Sequence, residues 1–352
     1  INAFTEDLAD QNPGILSRSV IGQSHEGRDI RALTLTAPYD PGEPRRPQVV
    51  LNGCLHAREW ISPATVLFIM NELVQGAGND PSVDEILSSL EVHFIPMSNP
   101  DGYEYTRNVE RLWRKNRRPV SGAIGVDLNR NWDFQWGGAG SSGNPSSDVF
   151  RGPSPFSEPE TTVVSDYIQS LPDVHAHIDF HSFGQFILGP WAFSASTTPP
   201  RVEEHTIVQD AMSQAILATN GVFYQPGLGT DSLLGPAAGA MQDWTLGAVD
   251  ALAWTIELRP GSSFPGFELP PDEIIPTGEE ALSAVEVLAD FAARTIEIDA
   301  VSSIPSQISS ESPADLSVTI TEWNTETLDP SSPALLYRVD SGDPFTEFPL
   351  SL

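Results

Sequence analysis

His56 and Glu59 stand three residues apart in the stretch Leu51-Asn52-Gly53-Cys54-Leu55-His56-Ala57-Arg58-Glu59-Trp60. At a turn or a helix start, positions i and i+3 project from one side, so an imidazole nitrogen and a carboxylate oxygen can face one point. Zn²⁺ accepts both donor types, and one further protein ligand would complete an open catalytic site. The same pair also suits a solvated turn closed by an ion pair. A second chemical candidate is Glu257, a carboxylate inside the apolar run 251–258. Burying an unpaired charge is costly, so Glu257 needs either an ion pair with Arg259 or a place beside a metal.

Residues 174–181 alternate strictly, with His175, His177, Asp179 and His181 on one face. His181 is the better ligand candidate, because open α/β sheets bind ligands at the carboxyl ends of their strands. His175 and His177 are expected to be structural, exposed or hydrogen-bonded. Six of the 18 basic residues fall within 107–118: Arg107, Arg111, Arg114, Lys115, Arg117 and Arg118. They read either as counter-charge for an acidic surface or as a binding site for a carboxylate.

The elements that must position these groups follow from apolar patterning. Residues 22–37 read as a turn and a strand, 49–51 as a buried strand and 92–96 as another. Helices are expected over 62–74, 83–90, 202–220 (ended by Gly221) and 279–295, with one more starting at Ser157, where Ser157 and Glu160 form a capping box. Residues 125–132 read as a strand end entering a loop. Alternating strands and helices argue for an α/β fold. After about residue 300 the composition changes. A Ser/Pro-rich linker over 302–313 precedes two expected strands, 316–323 and 334–339, around a turn. The domain reading is therefore 1–299 and 300–352, the latter a linker with a β-hairpin or a truncated β-sandwich module.

The 352 residues carry a formal net charge of −30, which opposes nucleic acid and anionic membrane as partners. No apolar run reaches the roughly 18 residues of a membrane span. Cys54 is the only cysteine, so no internal disulfide forms, and it reads as a small buried residue. The start at Ile1 suggests a processed or excised product.

Taken in order, seven stretches resemble the zinc metallocarboxypeptidase family of the pancreatic carboxypeptidase A/B type, from about residue 20 to residue 291. They are His-Ala-Arg-Glu-Trp at 56–60, Asn-Pro-Asp-Gly-Tyr at 99–103, Arg-Leu-Trp-Arg-Lys at 111–115, Asp-Leu-Asn-Arg-Asn-Trp at 127–132, Asp-Phe-His-Ser at 179–182, Asp-Trp at 243–244 and Glu-Leu-Arg at 257–259. The resemblance implies a mixed, mostly parallel twisted sheet flanked by helices on both faces, here with a small C-terminal β segment. It implies one Zn²⁺ per chain, held by His56, Glu59 and His181, with Asp127 orienting His56. Glu257 would be the general base and Arg114 the donor to the tetrahedral oxyanion. Asn129 and Arg130 would clamp the substrate's terminal carboxylate, Arg58 would serve the next subsite, and Gln242 would lie at the floor of the side-chain pocket beside Leu188, Ala192, Ala240, Met241 and Thr255. The implied partners are peptide or protein C-termini, met by a secreted monomer that releases apolar or neutral residues. The family's usual loop tyrosine is missing, since counting back from Asp243-Trp244 gives Gly235. Two other readings keep the fold: an amidohydrolase acting on N-acyl amino acids, and a catalytically inactive peptide-binding module.

Overall fold

The computed structural model describes residues 1–293, apart from 41, 44, 195 and 230–233, together with four short strands beyond them. The chain forms two compact units, Ile1–Ala292 and Ala293–Leu352.

In chain order the first unit contains β1 (Leu16–Gln23), β2 (Asp29–Leu35), β3 (Gln48–Gly53), β4 (Glu91–Ile95), a two-residue hairpin of β5 (Pro119–Val120) and β6 (Ala123–Ile124), β7 (Val174–Ser182), β8 (Phe186–Gly189), β9 (Gln225–Leu228) and β10 (Leu252–Leu258). Its helices are α1 (Asn2–Gln11), α2 (Ile61–Gly76), α3 (Pro81–Ser89), α4 (Pro100–Asn108), α5 (Pro159–Ser170), α6 (Val202–Asn220), α7 (Met241–Trp244) and α8 (Ile274–Ala293). Eight strands form one sheet in the order β1-β2-β4-β3-β7-β10-β8-β9. The pairs β3–β4, β3–β7, β7–β10 and β8–β9 are parallel; β1–β2, β2–β4 and β8–β10 are antiparallel. The sheet is thus mixed and mostly parallel.

Its centre is covered on both faces. Every residue of β3 is buried, as expected of a central parallel strand. One face packs under α2 through Val66, Ile69, Met70 and Leu73. The other meets a cluster of Val50, Leu55, Trp132, Val164, Ile168 and Trp244. Because both faces are covered, the alternation in β7 does not separate core from solvent: residues 176–182 are all buried. His175 lies 3.0 Å from Asp173 Oδ1, and His177 is buried with Nδ1 3.3 Å from the Thr245 hydroxyl.

Three local expectations are corrected. The helix expected at Ser157 begins at Pro159, with Glu158 as its N-cap and no side-chain cap. The Ser157 hydroxyl instead donates to Glu158 Oε1 at 2.7 Å, and Glu160 accepts from the His25 amide at 3.0 Å, so neither is available for a capping box. Residues 125–132 do not continue a strand; Asp127 Oδ1 accepts the Asn129 amide at 3.0 Å and turns the chain into a 3₁₀ turn, Leu128–Arg130. In the second unit, Val318–Glu322 and Ala334–Tyr337 do not pair with each other. The first pairs with Ile296–Ala300, which straddles the expected 299/300 boundary, and the second with Thr346–Pro349. The expected linker, 302–313, lies outside the described residues.

Two buried histidines set an acid limit on this fold. His205 donates from Nδ1 to Arg201 O at 2.9 Å and accepts the Ala253 amide at Nε2, so protonation would break the second bond. Burial lowers both His177 and His205 to about 4. The unfolded chain then binds more protons between pH 6.5 and 4, so stability is full above about 6.5 and is lost as pH falls towards 4. Each imidazole contributes up to about 1.4 kcal/mol per pH unit in that window. His177→Leu removes one titrating group, and the Thr245 hydroxyl keeps its bond to Met241 O at 3.0 Å. Denaturant unfolding at pH 7, 5.5 and 4.5 should therefore show a slope shallower by about one proton in the variant.

Candidate active site

The site is built at the carboxyl edge of β3, β7 and β10. At the end of β3, a Cβ on Gly53 would meet the Ser62 hydroxyl at 2.9 Å, so only glycine lets α2 approach this closely. Ser62 then ties the turn together: its hydroxyl accepts the Cys54 amide at 2.9 Å and donates to Phe180 O at 2.6 Å. Burial pushes the Cys54 thiol pKa up, leaving it inert.

That turn delivers His56 and Glu59, and β7 delivers His181. His56 Nδ1 lies 2.9 Å from Glu59 Oε1, and His181 Nδ1 lies 2.9 Å from Glu59 Oε2. The far nitrogens face other carboxylates: His56 Nε2 lies 2.9 Å from Asp127 Oδ1, and His181 Nε2 lies 2.7 Å from Asp179 Oδ2. An ionised carboxylate only accepts, so each Nε2 must carry the proton in a neutral ring. Each Nδ1 then presents a lone pair towards Glu59, itself an acceptor. A cation among them satisfies all three. The candidate ligand atoms lie within 4.8 Å of one another and the residues are buried. Two imidazole nitrogens and one carboxylate oxygen are the donor set of an open zinc site. The Ser182 amide donates to Glu59 at 3.2 Å. Without a cation, protonated imidazoles would have to take its place: burial opposes ionisation of Glu59, and only as charged neighbours do His56 and His181 outweigh it and hold its carboxyl well below the usual range.

Arg114 packs against this group. Its Nε and Nη2 donate to Asp127 Oδ2 at 3.2 and 2.9 Å, and its Nη1 lies 3.2 Å from His56 Nδ1. The rest of the basic island is dispersed. Arg111 lies over the Trp60 ring and Arg117 over Tyr105, while Arg107 and Arg118 pair with Glu104 and Glu158. Lys115 donates to Pro145 O and Ser147 O, each at 3.1 Å.

Glu257 stands opposite His181 in the β7–β10 register. Arg259 is taken by Glu273 and Glu280, so the ion pair offered as a reason for Glu257 does not form. Desolvation raises the Glu257 carboxyl to about 8, opposed by His181 and aided by Glu59. Arg130 donates from Nε to Gly140 O at 2.9 Å, and Asn129 accepts the Met241 amide at 2.8 Å.

One cavity of about 300 Å³ brings these groups together: His56, Glu59, His181, Arg114, Glu257, Asn129, Arg130 and Gln242 all line it. Leu188, Ala192, Ala240 and Thr255 line it too, whereas the expected Met241 side chain turns into the core, with Sδ 3.4 Å from Asn52 Nδ2. Arg58 does not line the cavity; its guanidinium lies 4.1 Å from the centre of the ring of Phe267, which does. Phe183 and Phe267 are lining residues that sequence reasoning missed. They sit on loops whose approach to the site has no local signature. Gly235 lines the cavity with φ +72°.

A family profile described as zinc carboxypeptidase matches residues 1–284. The chain belongs to the zinc carboxypeptidase family. It is 39% identical over 296 residues to a carboxypeptidase B of Astacus astacus, covering 83% of this chain and 94% of that protein. It is also 39% identical over 299 residues to zinc carboxypeptidase A 1 of Anopheles gambiae, covering 84% and 67%. Among solved structures, carboxypeptidase A of Helicoverpa armigera superposes with a TM-score of 0.75 at 31% identity, covering 83% of this chain and 72% of that one. This metallocarboxypeptidase therefore resembles A-named and B-named relatives equally. Among its described residues, no helix is long and apolar enough to cross a membrane.

Metal analysis of the purified enzyme should give one zinc per chain, removable by chelator with loss of peptidase activity. His181→Ala should lose about one equivalent of bound zinc, because two remaining ligands fall short of the three protein ligands of a catalytic zinc site.

Proposed function

We propose that this metallocarboxypeptidase cleaves the last peptide bond of peptides and proteins and releases single apolar or neutral residues. The observation that supports this most is the convergence of metal ligands, base and carboxylate clamp on one cavity. In this reading His56, Glu59 and His181 hold the zinc, with Asp127 behind His56. Bound there, zinc supplies Lewis acidity towards the scissile carbonyl and brings the pKa of a water to about 7.

The chain's own residues carry the remaining tasks. Arg130, steadied by Gly140 O, presents a planar fork that matches the substrate's terminal carboxylate. Asn129 lies beside it with its amide oriented by the Met241 N–H. Arg114 is held by Asp127 with its guanidinium edge towards the ligand cluster, in reach of an oxygen that gains charge in the transition state. Glu257 takes a proton from the attacking water on a carboxylate oxygen and later delivers it to the leaving amine nitrogen. Arg58, with its guanidinium over the Phe267 ring, serves the residue upstream of the scissile bond in this reading. We assign all of this to the unit Ile1–Ala292, with the chain beyond it an appended β module.

The pocket floor favours apolar side chains. Gln242 donates from Nε2 to Gly189 O at 3.2 Å and accepts the Thr255 hydroxyl at Oε1. Its polar ends are thus engaged by the protein, and the surrounding Leu188, Ala192 and Ala240 offer no charge.

Glu257→Gln keeps the shape but cannot accept a proton. Its kcat should fall by ~10²–10⁴ or more, the range of general acid–base groups, with zinc content unchanged. A variant retaining most of its kcat would remove Glu257 from this role. For specificity, wild-type kcat/KM should favour C-terminal Phe or Leu over Lys or Arg by ~10² or more, since desolvating an unpaired cation costs several kcal/mol. Gln242→Asp should invert that order; a wild type that already prefers Lys or Arg would refute the pocket assignment. Gly235→Tyr is a poor route to the family's tyrosine, because its left-handed backbone strains any side chain even though the space around it is open.

A further inference from the structure

The two candidate histidine ligands each have a carboxylate behind them, but the carboxylates differ. Asp127 shares its charge with Arg114, whose Nη2 donates to Oδ2 at 2.9 Å. Asp179 is fully buried. Its Oδ1 accepts from Asn52 Nδ2 at 2.8 Å, and its Oδ2 faces His181 Nε2 at 2.7 Å. Both of these partners lack a formal charge when the imidazole is neutral. Asn52 is itself fully buried and fixed, since its Oδ1 accepts the Ser98 hydroxyl, and the Ser98 amide donates to Gly53 O at 3.2 Å. Asn52 and Asp179 stand directly opposite each other in the β3–β7 register, so the contact is written into the sheet. Asn129 Nδ2 also lies 3.2 Å from His181 Nε2. With its Oδ1 on the Met241 amide, that nitrogen is a donor and cannot take the ring proton.

We propose that Asp179, braced by Asn52, is a positioning residue that fixes the ring of His181 and strengthens it as a metal ligand. The inference rests on the reading of His56, Glu59 and His181 as the ligand set. Accepting the Nε2 proton fixes the tautomer, leaves Nδ1 as the donor and raises the basicity of the ring. Because no guanidinium offsets Asp179, its charge acts on His181 more fully than that of Asp127 acts on His56. The sequence pattern places Asp179 and His181 on the same strand face, two residues apart, which is what allows a carboxylate and an imidazole to meet.

The test is the zinc dissociation constant, measured on the full chain by competition with a chromophoric chelator at fixed pH. The proteins are wild type, Asp179→Asn, Asn52→Ala and His181→Ala, each with its fold checked by circular dichroism and metal-free thermal unfolding. Asp179→Asn should bind zinc ~10–100-fold more weakly, and the visible absorption bands of its cobalt-substituted form should shift. Asn52→Ala keeps the carboxylate but frees it, and should lose roughly 3–10-fold, the scale of one hydrogen bond. If Asp179→Asn does not fold, Asn52→Ala decides alone. A folded variant with a dissociation constant within twofold of wild type and unshifted cobalt bands overturns the proposal. If instead the wild type binds no zinc, or His181→Ala binds it as tightly, the ligand reading itself fails and the inference falls with it.

Discussion

Buried charge of one sign is the constraint on which this structure depends. Glu59, Asp127, Asp179 and Glu257 gather at the carboxyl edge of three adjacent strands, and Arg114 and Arg130 are the guanidiniums that line the same cavity. Without a cation, burial holds Glu257 towards its neutral form, and Glu59, Asp127 and Asp179 exceed the two guanidiniums by one negative charge; with Glu257 ionised, as a base must be, the excess is two, which a low-dielectric site does not tolerate unpaired. A divalent cation among His56, Glu59 and His181 removes the excess. The fold serves this arrangement. The parallel order β3-β7-β10 sets the His56 turn, His181 and Glu257 side by side, and α2 and the Trp132–Trp244 cluster close the two faces around them.

Much of this was legible in the sequence because it is local. The His56–Glu59 spacing, the apolar runs of β3 and β10, the long helix ended by Gly221 and the odd carboxylate at 257 each announce themselves within ten residues. What was missed depends on pairing at a distance. β1 escaped notice because it is an edge strand whose residues are largely exposed, with no alternation to mark it. The Ser157 capping box is sound by spacing, but Asn131 and Asn116 hold the same side chains, and the helix starts at Pro159. In the second unit, the strands Val318–Glu322 and Ala334–Tyr337 were visible as strands, yet their partners were not, since strand pairing is decided by contacts beyond the turn. Nor does the sequence show that Arg259 is held by Glu273 and Glu280 on the far side of a loop.

The wall of the cavity and the Arg130 guanidinium share one support. A Cβ on Gly140 would come within 1.6 Å of Pro236 O, and the Ala238 amide donates to Ala139 O at 2.9 Å. Gly140 O is also the acceptor for Arg130 Nε. The stretch beside Gly235 is therefore docked on the loop that steadies Arg130. With glycine at 235, the wall there is built from backbone contacts.

Lys115 is the only lysine in the chain, and it is buried with its ammonium on two carbonyls, one residue from Arg114. Amine-directed acylating reagents consequently find no exposed ε-amine, and crosslinking or surface immobilisation through lysine is closed to this protein while it is folded. Any acylation at Lys115 must wait for that segment to lift from the 145–147 loop. Its rate is a gauge of how often the strip of chain bearing Arg114 opens, readable by mass.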